Sequence, residues 1–256
     1  MLQPHSLLWH YLWIGPQVLQ AALVVFLWRS GLHRTYPVFL TYLAFGATEG
    51  FILYGMDVLP WVSAQMFWEA FCVGAVIEGI IKFCVVGELF FQLLRSRPTL
   101  AKVGSRLISG AGASLILLAV AVAAYTPIVH RQAVLMSRAH ILLQSSYVID
   151  CGLALFLFLF AAHFKLVWDH RAFGIAVGLG IVWCEHMAGW ALSANGVLHD
   201  KSYLLDFLNM ATFHVCVLIW FYFLLVPHKV TTTSAVSLPE NNLDIWNREL
   251  ERLLQQ

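Results

Sequence analysis

The side chains best equipped for chemistry in this sequence interrupt long apolar runs. Glu78 and Lys82 stand four residues apart, which sets an acid and a base on one helix face with the acid N-terminal. Glu49, Asp150, Glu185, His186, Asn209 and His214 break other runs in the same way. An ionisable group at mid-bilayer is costly and normally faces the bundle interior or a water-filled cavity. Two readings follow. Glu78 and Lys82 either neutralise each other so that their helix can insert, or they wall a polar pocket completed by the other six residues. Glu69, Glu88 and Asp206 fall nearer the ends of their runs, where solvation is expected.

His186 and His214 fall at similar depth on consecutive runs, a placement open to a haem or a metal ion. Histidines three or four apart, the spacing of many metal sites on a helix, are absent within the runs, and a hydrogen-bonded or proton-relaying His is the simpler reading. Cys184, Glu185 and His186 are consecutive and point in different directions on a helix. The cysteines Cys72, Cys84, Cys151, Cys184 and Cys216 all fall inside apolar runs, where thiols behave as small apolar groups. No catalytic set and no metal-ligand set is legible, and no cofactor is expected.

The elements that must position these groups follow from composition. Of 256 residues, 60% are apolar and 11% charged, with a mean hydropathy of +0.76. A soluble domain carries about 25% charged residues, so a polytopic membrane protein is expected. A net charge of +1 argues against a nucleic-acid binder, which would need a basic stripe. Seven segments reach the length of about 20 apolar residues that a bilayer requires: Leu7–Trp28, Tyr36–Tyr54, Met66–Leu94, Leu107–Tyr125, Ile141–Leu166, Phe173–Leu192 and Tyr203–Val226. They are continuously apolar, so an all-α seven-helix bundle is expected rather than a barrel.

Basic residues give the orientation. Arg29, Arg34, Arg95, Arg97, Lys102, Arg106, Lys165, Arg171, Lys229, Arg248 and Arg252 fall on one side, and Arg131, Arg138 and Lys201 on the other. The N-terminus is therefore expected outside and the C-terminus in the cytoplasm. The first segment lacks a preceding Lys or Arg and is read as a span, not a cleaved signal. Pro16 removes a backbone donor within it. Gly174 and Gly178 form a small-xxx-small pair suited to close helix approach.

The seven-helix domain extends over residues 1–229. Residues 230–242, rich in Thr, Ser and Asn, read as a linker. Residues 243–256 read as an amphipathic cytoplasmic helix with Leu243, Trp246, Leu250 and Leu253 at helical spacing. A helix this short is marginal alone and is expected to dock on the membrane surface, on cytoplasmic loops or on a protein partner.

The seventh span has no lysine to hold retinal as microbial rhodopsins do, and only His214 where zinc-dependent seven-helix hydrolases use a spaced histidine pair, so neither resemblance holds. Residues 155–160 (Leu-Phe-Leu-Phe-Leu-Phe), 173–178 (Phe-Gly-Ile-Ala-Val-Gly), 218–220 (Leu-Ile-Trp) and the tail Leu243-Asp-Ile-Trp-Asn-Arg-Glu-Leu-Glu-Arg-Leu-Leu254 resemble a group of bacterial seven-helix integral membrane proteins without an established activity. The resemblance implies a multi-pass protein of the bacterial inner membrane and carries no activity with it. A sensor or receptor-like module that binds a small apolar or amphipathic ligand and signals through the tail joins pocket, architecture and tail in one expectation. The alternatives are a transporter or proton-coupled carrier, a haem- or metal-binding redox subunit or enzyme, and a structural scaffold.

Overall fold

The computed structural model describes residues 6–95, 110, 148–194, 202–226 and 251–252. Among these residues the fold is all-α. Helix α1 spans Leu7–Arg29, α2 Pro37–Val58, α3 Ala64–Leu94, α4 Val148–His163, α5 His170–Ala194 and α6 Ser202–Leu225. Five of them, all but α4, are long and apolar enough to cross a membrane. Apart from Gly110, the fourth predicted span lies outside the described residues, as do the first residues of the fifth. Only Glu251 and Arg252 of the tail are described, both helical; Leu243, Trp246, Leu250 and Leu253 lie outside.

Helix ends fall where local chemistry places them. Ser6 caps α1 by accepting from the Trp9 amide at 3.3 Å, and Ser63 caps α3 by accepting from Met66 at 3.2 Å. Pro37 opens α2 at a position where its missing donor costs nothing. Pro16 lies within α1 without ending it. At 31 residues, α3 is about 46 Å long at the usual rise, longer than a bilayer core, a mismatch that tilt or projection from the membrane accommodates.

Helix α1 packs on α2 and α6, α2 on α3, and α5 on α6 and α3, while Phe90 of α3 contacts Phe156 and Phe160 of α4. Trp220 of α6 is fully buried with its ring edge-on to Phe39 at 5.4 Å and Tyr42 at 6.0 Å. Its indole N–H donates to the Ile175 carbonyl at 3.4 Å. The Gly174 and Gly178 pair does what its spacing predicts: a Cβ on Gly178 would collide with Trp220, and one on Gly174 with Phe223. A second small pair, Gly46 and Gly50 on α2, receives Gln20 and Gln17 of α1.

The basic ends of the helices are latched together. Glu88, far from being a merely solvated interfacial acid, accepts from the Val38 and Phe39 amides at 3.0 and 2.9 Å. It thus satisfies orphan donors at the start of α2 and meets the positive end of its dipole. The Gln92 amide donates to the Thr35 carbonyl at 2.7 Å, and the Tyr36 hydroxyl donates to Asp169 Oδ2 at 2.8 Å. Burial, reinforced by the Asp169 carboxylate, holds the Tyr36 hydroxyl protonated well above the ordinary phenol range.

Gln20 is fully buried, and neither atom of its side-chain amide finds a hydrogen-bond partner among the described residues. An unsatisfied buried amide costs about 1–3 kcal/mol. Gln20→Met, which keeps the unbranched shape, is therefore expected to raise the unfolding temperature of the detergent-solubilised protein, with a gain of about 1 kcal/mol. A fall in that temperature would mean that the amide has a partner.

Candidate functional site

Lys82 lies near the middle of α3 and is buried. Its ammonium contacts Glu78 Oε1 at 3.1 Å, one turn earlier on the same helix. The i,i+4 pair foreseen in the sequence is therefore formed, and Lys82 is its more deeply buried member. It does not stand alone. Lys82 and Glu78 both lie within electrostatic reach of Glu49 on α2, Asp150 on α4 and His186 on α5. Four helices thus contribute charged or chargeable groups around a single lysine.

Each neighbour is held by its own surroundings. Asp150 is buried, and its Oδ2 atom has no hydrogen-bond partner among the described residues. The Nδ1 atom of His186 is 2.7 Å from the Val182 carbonyl of the preceding turn and 3.4 Å from Glu185 Oε2. The first distance sets Nδ1 as a donor to that carbonyl. Tyr42, also buried, lies within the field of Lys82, Glu78 and Asp150; it links this level of the bundle to the Trp220 core and was not among the residues singled out from the sequence. Glu49 packs its carboxylate against Gly74 of α3 so closely that any side chain at position 74 would displace it.

His214 belongs to a different neighbourhood. Its ring is 5.6 Å from that of Tyr11 and only 3.5 Å from where a Cβ on Gly15 would stand, so it packs on α1. Its Nδ1 atom is buried without a hydrogen-bond partner among the described residues. Asn209 lies on α6 one helical stretch earlier and is partly buried. Among the described residues no three His, Cys, Asp or Glu side chains converge as metal ligands.

Beside the polar level, α2 and α3 together line an open groove of about 510 Å³. Phe45, Ile52, Leu53, Met56, Val73 and Ile77 give it apolar walls, with Glu49 at its floor. Glu69 stands at the rim and accepts from Gln65 at 2.8 Å. Ile52, Met66 and Val73 are exposed along its mouth. From Met66 to Ile77 the groove follows about 16 Å of α3. No periodicity in the sequence reveals it, because it exists only between two helices.

These helices define the chain as a multi-pass α-helical membrane protein. No family model, curated protein or solved structure matches it.

If Lys82 serves only Glu78, replacing both with neutral isosteres should be harmless. If it serves the whole cluster, it should not. Lys82→Met is expected to destabilise the protein by about 3 kcal/mol, in the range for breaking a buried pair. Adding Glu78→Gln is expected to restore only part of that loss, because Glu49 and Asp150 still lack their cation. Unfolding of the single and double variants in detergent measures the difference; full restoration would reduce the cluster to an isolated pair.

Proposed function

We propose that this protein is a receptor-like membrane module that binds a small amphipathic molecule between α2 and α3 and passes the event to a cytoplasmic partner through its C-terminal helix. The observation that carries the reading is the groove with Glu49 at its floor. An apolar trough with one polar group at its inner end has the general character of a ligand site, and it accepts an apolar tail along the walls and a hydrogen-bond-donating head at the carboxylate. Glu49 also shares its field with Glu78 and Lys82, so a head group that contacts Glu49 perturbs a charge network reaching α4 and α5. That gives occupancy a physical route to a change in helix packing, provided the ligand favours one packing over another. An N-out, C-in orientation in a bacterial inner membrane would place the basic latch on the cytoplasmic side.

A long-chain alkanol carrying a diazirine at mid-chain tests the site. Photolabelling of the protein in lipid vesicles is expected to concentrate on groove residues such as Met56 and Met66. Val73→Trp, which narrows the mouth from an exposed position, and Glu49→Gln, which weakens the head-group contact, are each expected to reduce that labelling several-fold. Labelling spread evenly over the helices and indifferent to both variants would remove the site.

A further inference from the structure

Two cysteines far apart in sequence meet on the flank of the bundle. Cys151 of α4 and Cys184 of α5 place their Sγ atoms 3.8 Å apart, and neither is in a disulfide. A disulfide needs the sulfurs at about 2.05 Å, so the two must close by about 1.8 Å from their present 3.8 Å. The pair lies deep in the apolar layer: Cys184 is about 21 Å along α5 from its first residue, and Cys151 about 18 Å along α4 from its last. Cys184 is exposed on the flank of its helix and Cys151 is partly exposed, so the pair is open to the surroundings.

We propose that Cys151 and Cys184 form a dithiol–disulfide site oxidised from within the membrane by a lipid-soluble quinone. In the balanced step both S–H bonds break, one S–S bond forms, and two electrons with two protons pass to the quinone, which leaves as the quinol. Depth selects the oxidant, because a polar or charged one would have to enter hydrocarbon to reach these sulfurs, and membrane quinones accept electrons from protein dithiols elsewhere. The bond would tie α4 to α5 at residues next in sequence to Asp150 and Glu185. The redox poise of the membrane would then be coupled to the polar level around Lys82. This inference stands on the sulfur geometry and does not depend on what occupies the groove.

The test uses the whole reduced protein in phosphatidylcholine vesicles, with decyl-substituted benzoquinone as the probe and N-ethylmaleimide after unfolding to count thiols. Of the five thiols in the reduced chain, two are expected to be lost, with one quinol formed per chain and a peptide linking Cys151 to Cys184 found by mass spectrometry. C151S and C184S are each expected to keep all their remaining thiols and form no quinol. Copper phenanthroline provides the second arm. Cross-linking by copper phenanthroline but not by the quinone would overturn the oxidant. Five thiols surviving both reagents would overturn the pair, as would a covalent quinone adduct in place of the disulfide.

Discussion

A lysine buried in a layer of hydrocarbon has to be compensated, and much of the arrangement around α3 answers to that requirement. Lys82 is buried, and a charge so placed is tolerated only with partners near it. Glu78 supplies the direct contact from the turn before. Glu49, Asp150 and His186 bring α2, α4 and α5 into the same field. The lysine therefore constrains how four helices are rotated about their axes, because turning any of them would carry its polar group toward lipid. Apolar packing alone does not impose such a constraint: one Leu face is nearly as good as another in a medium as apolar as itself.

The two sides of this polar level are built differently. Toward the basic end, aromatic side chains meet glycines, Trp220 fills the space left by Gly178, and Glu88, Gln92, Tyr36 and Asp169 join helix ends through hydrogen bonds. Each of those bonds satisfies a group that would otherwise be left unpaired at a helix terminus or in a connection. Away from that end, α2 and α3 line the groove, and exposed apolar side chains line its mouth. Interlocked packing on one side and an open trough on the other would let a bound molecule act on these two helices while the latched ends stay fixed.

Several of these features are legible in the sequence alone. The Glu78 and Lys82 spacing forms the pair it predicts, and the Gly174 and Gly178 spacing forms a close helix contact, because both depend only on the periodicity of one helix. Features that need two helices were hidden. The thiols of Cys151 and Cys184, 33 residues apart, read separately as inert apolar groups. Glu88 read as an interfacial acid because its partners, the amides of Val38 and Phe39, lie about fifty residues earlier in the chain. His186 and His214 have similar depth, yet His214 turns to Tyr11 and Gly15 on α1 while His186 lies within the field of Lys82. Depth follows from residue number, whereas facing follows from rotation.

Composition and periodicity were enough to read an α-helical membrane protein, apolar runs long enough to cross a bilayer, and the polar groups that interrupt them. Those properties come from local composition and from the cost of leaving backbone and charge unsatisfied in hydrocarbon. The tertiary structure decided which polar groups share a neighbourhood, where two helices line a groove, and which cysteines touch. One chain read alone carries no term for helix rotation or neighbour choice, since these are fixed by the fit of side chains from different helices and by the compensation of Lys82 among them.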